Sequence, residues 1–114
     1  MLEARAKRRN IRSSPRKMRL VIDLIRGKNA TEALNILRFM PNRASLAAEQ
    51  TLRSAVANLF NKDDRGSLDE DAIFVKAVFV DQGVTMKRML PAPQGRAYRM
   101  RKRSNHLTIV VGTK

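Results

Sequence analysis

The 114-residue chain has no cysteine, no tryptophan, one tyrosine, one histidine and no apolar run approaching the roughly 18 residues that span a bilayer. The missing cysteines exclude a disulfide framework, a thiolate nucleophile and a thiolate zinc site. His106 has no second histidine with which to share a metal, and no partner that would make it half of a catalytic pair. The five glycines form no phosphate-cradling loop. Acidic residues are scarce, and those clustered at Asp63, Asp64, Asp69, Glu70 and Asp71 lack the alternating ligand spacing of a calcium loop, so they read as a solvated loop. No enzyme, metal or cofactor is expected. The N-terminus has no apolar signal core; its arginine-rich start faintly resembles a transit peptide, but Glu3 and the early structured pattern count against that reading.

Positive charge is what the chain has in excess. Lys and Arg number 24 against 10 Asp and Glu, a formal net charge of +14, which favours a polyanionic partner and leaves the fold open. The excess is unevenly placed. Residues 1–28 carry ten basic and two acidic side chains, residues 29–81 carry six and eight, and residues 82–114 carry eight and none. All four phenylalanines, Phe39, Phe60, Phe74 and Phe79, fall in the middle block, which therefore reads as core material, with partner-binding material at both ends.

Local patterns predict the elements. Ser14 as N-cap, Pro15 at the first helical position, Met18, Val21, Ile22 and Ile25 at helical spacing and a stop at Gly27 predict a first helix. A second begins near Asn29, with Glu32 making a capping-box-like start and Ala33, Leu34 and Leu37 as its apolar face, and ends before Pro41. A third, central helix covers 42–62, with Leu46, Leu52, Val56, Leu59 and Phe60 near one stripe. The runs 72–80 and 107–111 are β-branched and read as strands, and 3–12 reads as an edge strand. One domain over 1–114 is expected, of α+β class: three helices on a small, mostly antiparallel three-stranded sheet, with a long protruding hairpin at about 82–105.

That hairpin is the unusual part. Residues 86–106 hold seven Lys or Arg and no acid, with a bend at PAPQG. An isolated two-stranded ribbon is marginal in water, so a partner must clamp it. By alternation Arg99, Arg101 and Arg103 share one face, and Tyr98, Met100 and Lys102 the other. Arginines bind phosphate bidentately and the tyrosine can stack on a base or ribose, which makes RNA a suitable partner. A second basic cluster, with Arg8, Arg9 and Arg12, continues into the first turn of the first helix. There Arg16, Lys17 and Arg19 sit at the positive end of the dipole and point to a bound phosphate. A free-standing basic DNA-binding module is the alternative, but the would-be recognition helix, TEALNILRFM, opens with Glu32 and offers only Arg38 to a groove.

The stretches SPRKMRLVIDLIRGKNATEALNIL, LRSAVAN, VKAVFVDQGVTMKRMLP and GRAYRMRKRSNHLTIVV, in that order, resemble the large-subunit ribosomal protein L22 family over nearly the whole chain. The resemblance implies a structural constituent of the large ribosomal subunit that binds 23S-type rRNA and supports subunit assembly. It also implies a hairpin that lines the nascent-peptide exit tunnel. Carried onto this sequence, the rRNA-binding set is Arg8, Arg9, Arg12, Arg16, Lys17, Arg19, Lys87, Arg88, Arg96, Tyr98, Arg99, Arg101, Lys102 and Arg103, and the tunnel-facing tip is Leu90, Pro91, Ala92, Pro93, Gln94 and Gly95. The tip departs from the family pattern in carrying no charge between the proline and Gly95. Implied partners are large-subunit rRNA, neighbouring large-subunit proteins and the nascent peptide, with no membrane and no homo-oligomer. The implied location is the cytoplasm, in a bacterial-type ribosome, with an organellar ribosome as the alternative.

Overall fold

The computed structural model describes residues 2–63, 70–91, 95 and 97–113, with 70, 88, 90, 91 and 97–100 described as backbone only. The elements run β1 (Glu3–Ile11), α1 (Pro15–Ile22), α2 (Ala30–Phe39), α3 (Arg43–Lys62), a 3₁₀ turn (Glu70–Ala72), β2 (Ile73–Pro91) and β3 (Ala97–Thr113). The strands form one antiparallel sheet in the order β1-β3-β2, and β1 is an edge as expected. The fold is α+β. Of the predicted acidic loop at 63–71, residues 64–69 lie outside the described residues, Asp63 is the C-cap of α3, and Glu70 and Asp71 belong to the 3₁₀ turn.

Helix starts follow the chemistry of the sequence. The Ser14 Oγ accepts the Lys17 N–H at 3.2 Å, with Pro15 at the first position. Regular helix stops at Ile22, five residues before Gly27, yet Leu24, Ile25 and Lys28 each donate to the carbonyl three residues earlier, so the apolar stripe continues to a fully buried Ile25. Gly27 ends it at φ +76°, a conformation that favours glycine. At the start of α2 the Asn29 side chain accepts from the Thr31 N–H, and Glu32 reaches Lys28 at 3.9 Å.

The core lies between the helices and one sheet face, and it is aliphatic. Met18, Val21, Ile22 and Ile25 meet Leu37, Leu52 and Leu59 over Val75, Val78, Leu107, Ile109 and Val111, with Ala4 and Ala6 from β1. Two expectations are corrected here. None of the four phenylalanines is buried: Phe39, Phe60 and Phe79 are exposed and Phe74 is half-buried. The stripe of α3 is Ser45, Ala48, Leu52, Ala55 and Leu59, while Leu46 and Phe60 are turned to the outside. Spacing explains it, because positions 45, 48, 52, 55 and 59 keep the three-four rhythm of one face, whereas 46 and 60 lie a residue off it. The basic ends supply core as well as charge: β1, α1 and β3 all contribute buried side chains.

Both sheet edges are closed by side chains from the helices and from the turn that follows α1. On β2 the Arg19 and Arg26 guanidinium groups donate to the carbonyls of Val80 (3.1 Å) and Val78 (2.8 Å). On β1 the Asn58 amide and the Lys62 ammonium donate to the carbonyls of Arg5 and Glu3, each at 3.0 Å. Open edge carbonyls would otherwise invite a strand from another chain.

β2 and β3 are single long strands. They pair from Ile73 with Thr113 to Pro91 with Ala97, with register shifts between Val75 and Ala77 and between Gln82 and Thr85. β1 stops where Ile11 meets Asn105, the partner of Gln82, which is where the protruding hairpin was expected to begin. Beyond that row the ribbon is two-stranded, and Thr85 to Pro91 covers about 20 Å at strand rise. The molecule measures 66 × 24 × 16 Å with a radius of gyration of 17.3 Å, against about 13 Å for a compact chain of this length.

The position of the α3 stripe can be checked directly. Leu52→Ala should lose about 2–5 kcal/mol in chemical denaturation, because it empties a fully buried site. Leu46→Ala should stay within about 0.5 kcal/mol of the parent, since Leu46 is exposed. Equal losses would mean that the buried face of α3 is misassigned.

Candidate nucleic-acid interface

The cations of the N-terminal cluster are carried by a strand that kinks. After Arg8, which pairs with Leu107, the register slips, and Asn10 adopts φ +59° before Ile11 rejoins the ladder opposite Asn105. Two β3 residues hold the kink. The Asn10 N–H donates to His106 Nδ1 at 3.1 Å, and the buried Asn105 Nδ2 donates to the Ser13 carbonyl and hydroxyl oxygens, both at 2.8 Å. Arg12 lies between these fixed points, exposed. The lone histidine thus accepts a backbone hydrogen bond, which requires its Nδ1 to be unprotonated.

Around Arg12 the surface is concave. Three grooves share its side of the molecule, with volumes of about 340, 450 and 650 Å³. The first lies between β1 and α3 and includes Arg8, Arg12, Arg43 and Gln50. The second lies between the N-terminal ends of α1 and α3 and includes Arg12, Ser14, Lys17, Asn42 and Arg43. The third lies at the root of the hairpin and includes Asn10, Arg12, Met86, Lys102 and Arg103. Together they are lined by six cations, Arg8, Arg12, Lys17, Arg43, Lys102 and Arg103, and by no carboxylate.

Backbone adds to this potential. The first turns of α1 and α3 contain no acidic residue, and the Asn42 cap of α3 makes no side-chain hydrogen bond. Two positive helix ends therefore meet three cations in one groove, an arrangement suited to oxyanions. Carboxylates are held elsewhere: Asp23 by Arg26, Glu49 by Arg53 and Glu3 by Lys76, at 2.8–2.9 Å. Glu3 sits below the ordinary glutamate range, first because Lys76 hydrogen-bonds it and then through the charge of that ammonium.

The predicted cations divide by surroundings. Arg8, Arg12, Lys17, Lys102 and Arg103 line the grooves, and Arg8 also donates through Nη1 to Gln50 Oε1. Arg9, Arg16, Lys87 and Arg101 are exposed outside them. Arg19 is engaged on the Val80 carbonyl. Arg96 and the tip residues Ala92, Pro93 and Gln94 lie outside the described residues, as do the side chains of Arg88, Leu90, Pro91, Tyr98 and Arg99; Gly95 is exposed at φ +73°. Sequence reasoning missed Arg43, since it belongs to the block with more acids than bases; its signal was a basic residue opening the longest helix with no acid in the first turn. The helix a DNA-reading module would insert, α2, buries Ala33 and Leu37, and its Arg38 lies over the Phe39 ring at 5.9 Å.

Comparison with known proteins agrees with this geometry. The family model described as ribosomal protein L22p/L17e matches residues 6–112. The chain is 57% identical over 112 residues to the large ribosomal subunit protein uL22 of Chlorobium phaeovibrioides, covering 96% of this chain and 92% of that one. It is 55% identical over 107 residues to the protein of the same name from Flavobacterium johnsoniae, covering 94% and 78%. For the one from Bacteroides fragilis the figures are 52% over 109 residues, 96% and 79%. With a core, a basic groove and a two-stranded arm all inside the matched span, the chain belongs to the ribosomal protein L22p/L17e family.

Proposed function

We propose that the chain is a structural, non-enzymatic constituent of the large ribosomal subunit that binds 23S-type rRNA through the grooves around Arg12 and through both arms of its hairpin. The observation that carries this reading is the set of six cations lining those grooves without a carboxylate. Relatives named as large-subunit proteins support the particle, and their bacterial sources support a cytoplasmic ribosome. Arg8, Arg12, Lys17 and Arg43 take backbone phosphates near the domain, and Lys87, Arg101, Lys102 and Arg103 take them along the ribbon, joined by Arg88, Arg96 and Arg99, with Tyr98 stacking. Arg9 and Arg16 extend the same field. Arg19 serves the sheet edge first, and a phosphate only through the donors left after its bond to Val80.

The whole chain acts as one domain in this reading, with neighbouring large-subunit proteins at its sides and a part in subunit assembly. The tip, Leu90 to Gly95, has no charge while its arms are basic. The arms therefore lie against rRNA and the tip faces a passage that phosphate does not wholly line, the nascent-peptide exit tunnel. Pro91, at the last row of the ladder opposite Ala97, and Pro93 restrict the backbone and remove two donors, which suits a stiff end to the ribbon.

Binding of the isolated protein to large-subunit rRNA should fall steeply with salt, because each neutralised phosphate adds about 0.7–0.9 to the log-log slope. Arg12→Gln and Arg43→Gln should each lower that slope by about the same amount. Arg53→Gln, whose arginine pairs with Glu49, should leave the slope nearly unchanged. The reverse pattern would move the interface away from the grooves, and tighter binding to duplex DNA than to rRNA would overturn the ribosomal reading.

A photo-crosslinker at Ala92 should capture nascent peptide on stalled ribosomes, and one at Asp64 should not. Peptide adducts from Asp64 and none from Ala92 would refute the orientation of the hairpin.

A further inference from the structure

An antiparallel sheet with helices on one side normally turns polar residues to the other. Here that outer face departs from the rule. Register arranges it in rows across β1, β3 and β2: Lys7, Thr108 and Phe79; then Arg5, Val110 and Ala77; then Glu3, Gly112 and Phe74. The third row is already roofed. Lys76 crosses it to reach Glu3 at 2.8 Å, and a Cβ on Gly112 would stand 2.8 Å from the Leu2 carbonyl oxygen as well as 2.7 Å from the Lys76 Cε, so the close backbone of Leu2 calls for glycine in this row. The first two rows stay open: Phe79 is 46% exposed, Ala77 and Val110 are half-buried, and Arg5 and Lys7 are exposed. Between Lys7 and Phe79 lies Thr108, 5% exposed, whose Oγ1 has no hydrogen-bond partner among the described residues.

We propose that this open face is a stacking site for one unpaired nucleotide of RNA. Its base lies on the Phe79 ring and its flanking phosphates meet Arg5 and Lys7. An aromatic ring on an open sheet stacks any base, since every base has a π-face, and neighbouring cations take the backbone. Two strand spacings put the cationic strand about 10 Å from the aromatic one, a gap that long basic side chains shorten and that a nucleotide bridges with its base at one end and phosphate at the other. An apolar protein segment would satisfy Phe79 and leave Arg5 and Lys7 facing it unpaired; a nucleotide satisfies both columns. The inference rests on the RNA-binding reading and adds to it a contact on the side of β1 opposite the grooves, so that RNA would hold this strand from both sides.

The absence of tryptophan provides the test. In full-length Phe79→Trp the new indole is the chain's one tryptophan, and large-subunit rRNA should quench its emission while affinity stays close to the parent's. Phe79→Leu, which keeps apolar bulk and should melt like the parent, should bind rRNA roughly tenfold or more weakly with an unchanged salt slope, because stacking releases no counterions. Groove variants lower the slope, so the two sites separate. If the parent binds rRNA but the Phe79→Trp emission is not quenched, or Phe79→Leu binds at full affinity, the stacking site is refuted and the groove reading stands. If the parent does not bind rRNA, the functional reading fails and this inference with it. Emission that responds only when other large-subunit proteins are added would refute the nucleotide and assign the face to a protein.

Discussion

β2 and β3 pair from the core to the far end of the ribbon, shifting register between Val75 and Ala77 and again between Gln82 and Thr85, and the position of every other element is referred to that ladder. At the near end the pair is buried: Ile73, Val75, Val78 and Val80 with Leu107, Ile109 and Val111 form the floor on which α1 and α3 pack. At the far end the same strands carry basic residues and have no third strand. A ribbon that is marginal in isolation is here rooted in the buried core, so its direction is set inside the domain.

The root of that ladder also builds the groove. Asn105 and His106, the first β3 residues inside the three-stranded sheet, hold Ser13 and Asn10 and so fix the kink that presents Arg12. The hairpin and the groove are therefore mechanically one unit, and their cations meet at Arg12, Lys102 and Arg103. A net charge of +14 opposes compaction, and the fold answers by using some cations internally. Arg19, Arg26 and Lys62 close sheet edges, and Lys76 straps β2 to β1. The strap depends on an ionised Glu3, whose lowered pKa means that its contribution is complete above the ordinary glutamate range and is lost as pH falls through the lowered value.

Much of the fold could be read locally, because caps, prolines and spacing act over one turn. Ser14 with Pro15, Asn29, the strand run after Ala72 and the departure of the hairpin at Gln82 were all legible on that basis. Aromatic residues were not. Phe39, Phe60 and Phe79 have the composition of core, but whether an apolar side chain is buried depends on which face its element turns inward, and a small aliphatic core was already complete without them. Arg43 and Arg19 exchanged expectations for a similar reason. One was hidden in a block with excess acid and proved to face the groove; the other stood in a basic cluster and proved to serve a carbonyl 61 residues away.

By itself, then, the sequence determined the elements, their order, the basic ends, the absence of thiol chemistry, and a family resemblance spread over nearly the whole chain. Each of these depends on residues close together in the chain or on their plain count. Tertiary structure decided which cations converge on Arg12, which are spent on sheet edges, and that one sheet face remains open around Phe79. Those outcomes depend on strand register and helix packing, and a one-residue slip in a strand would turn every side chain to the opposite face.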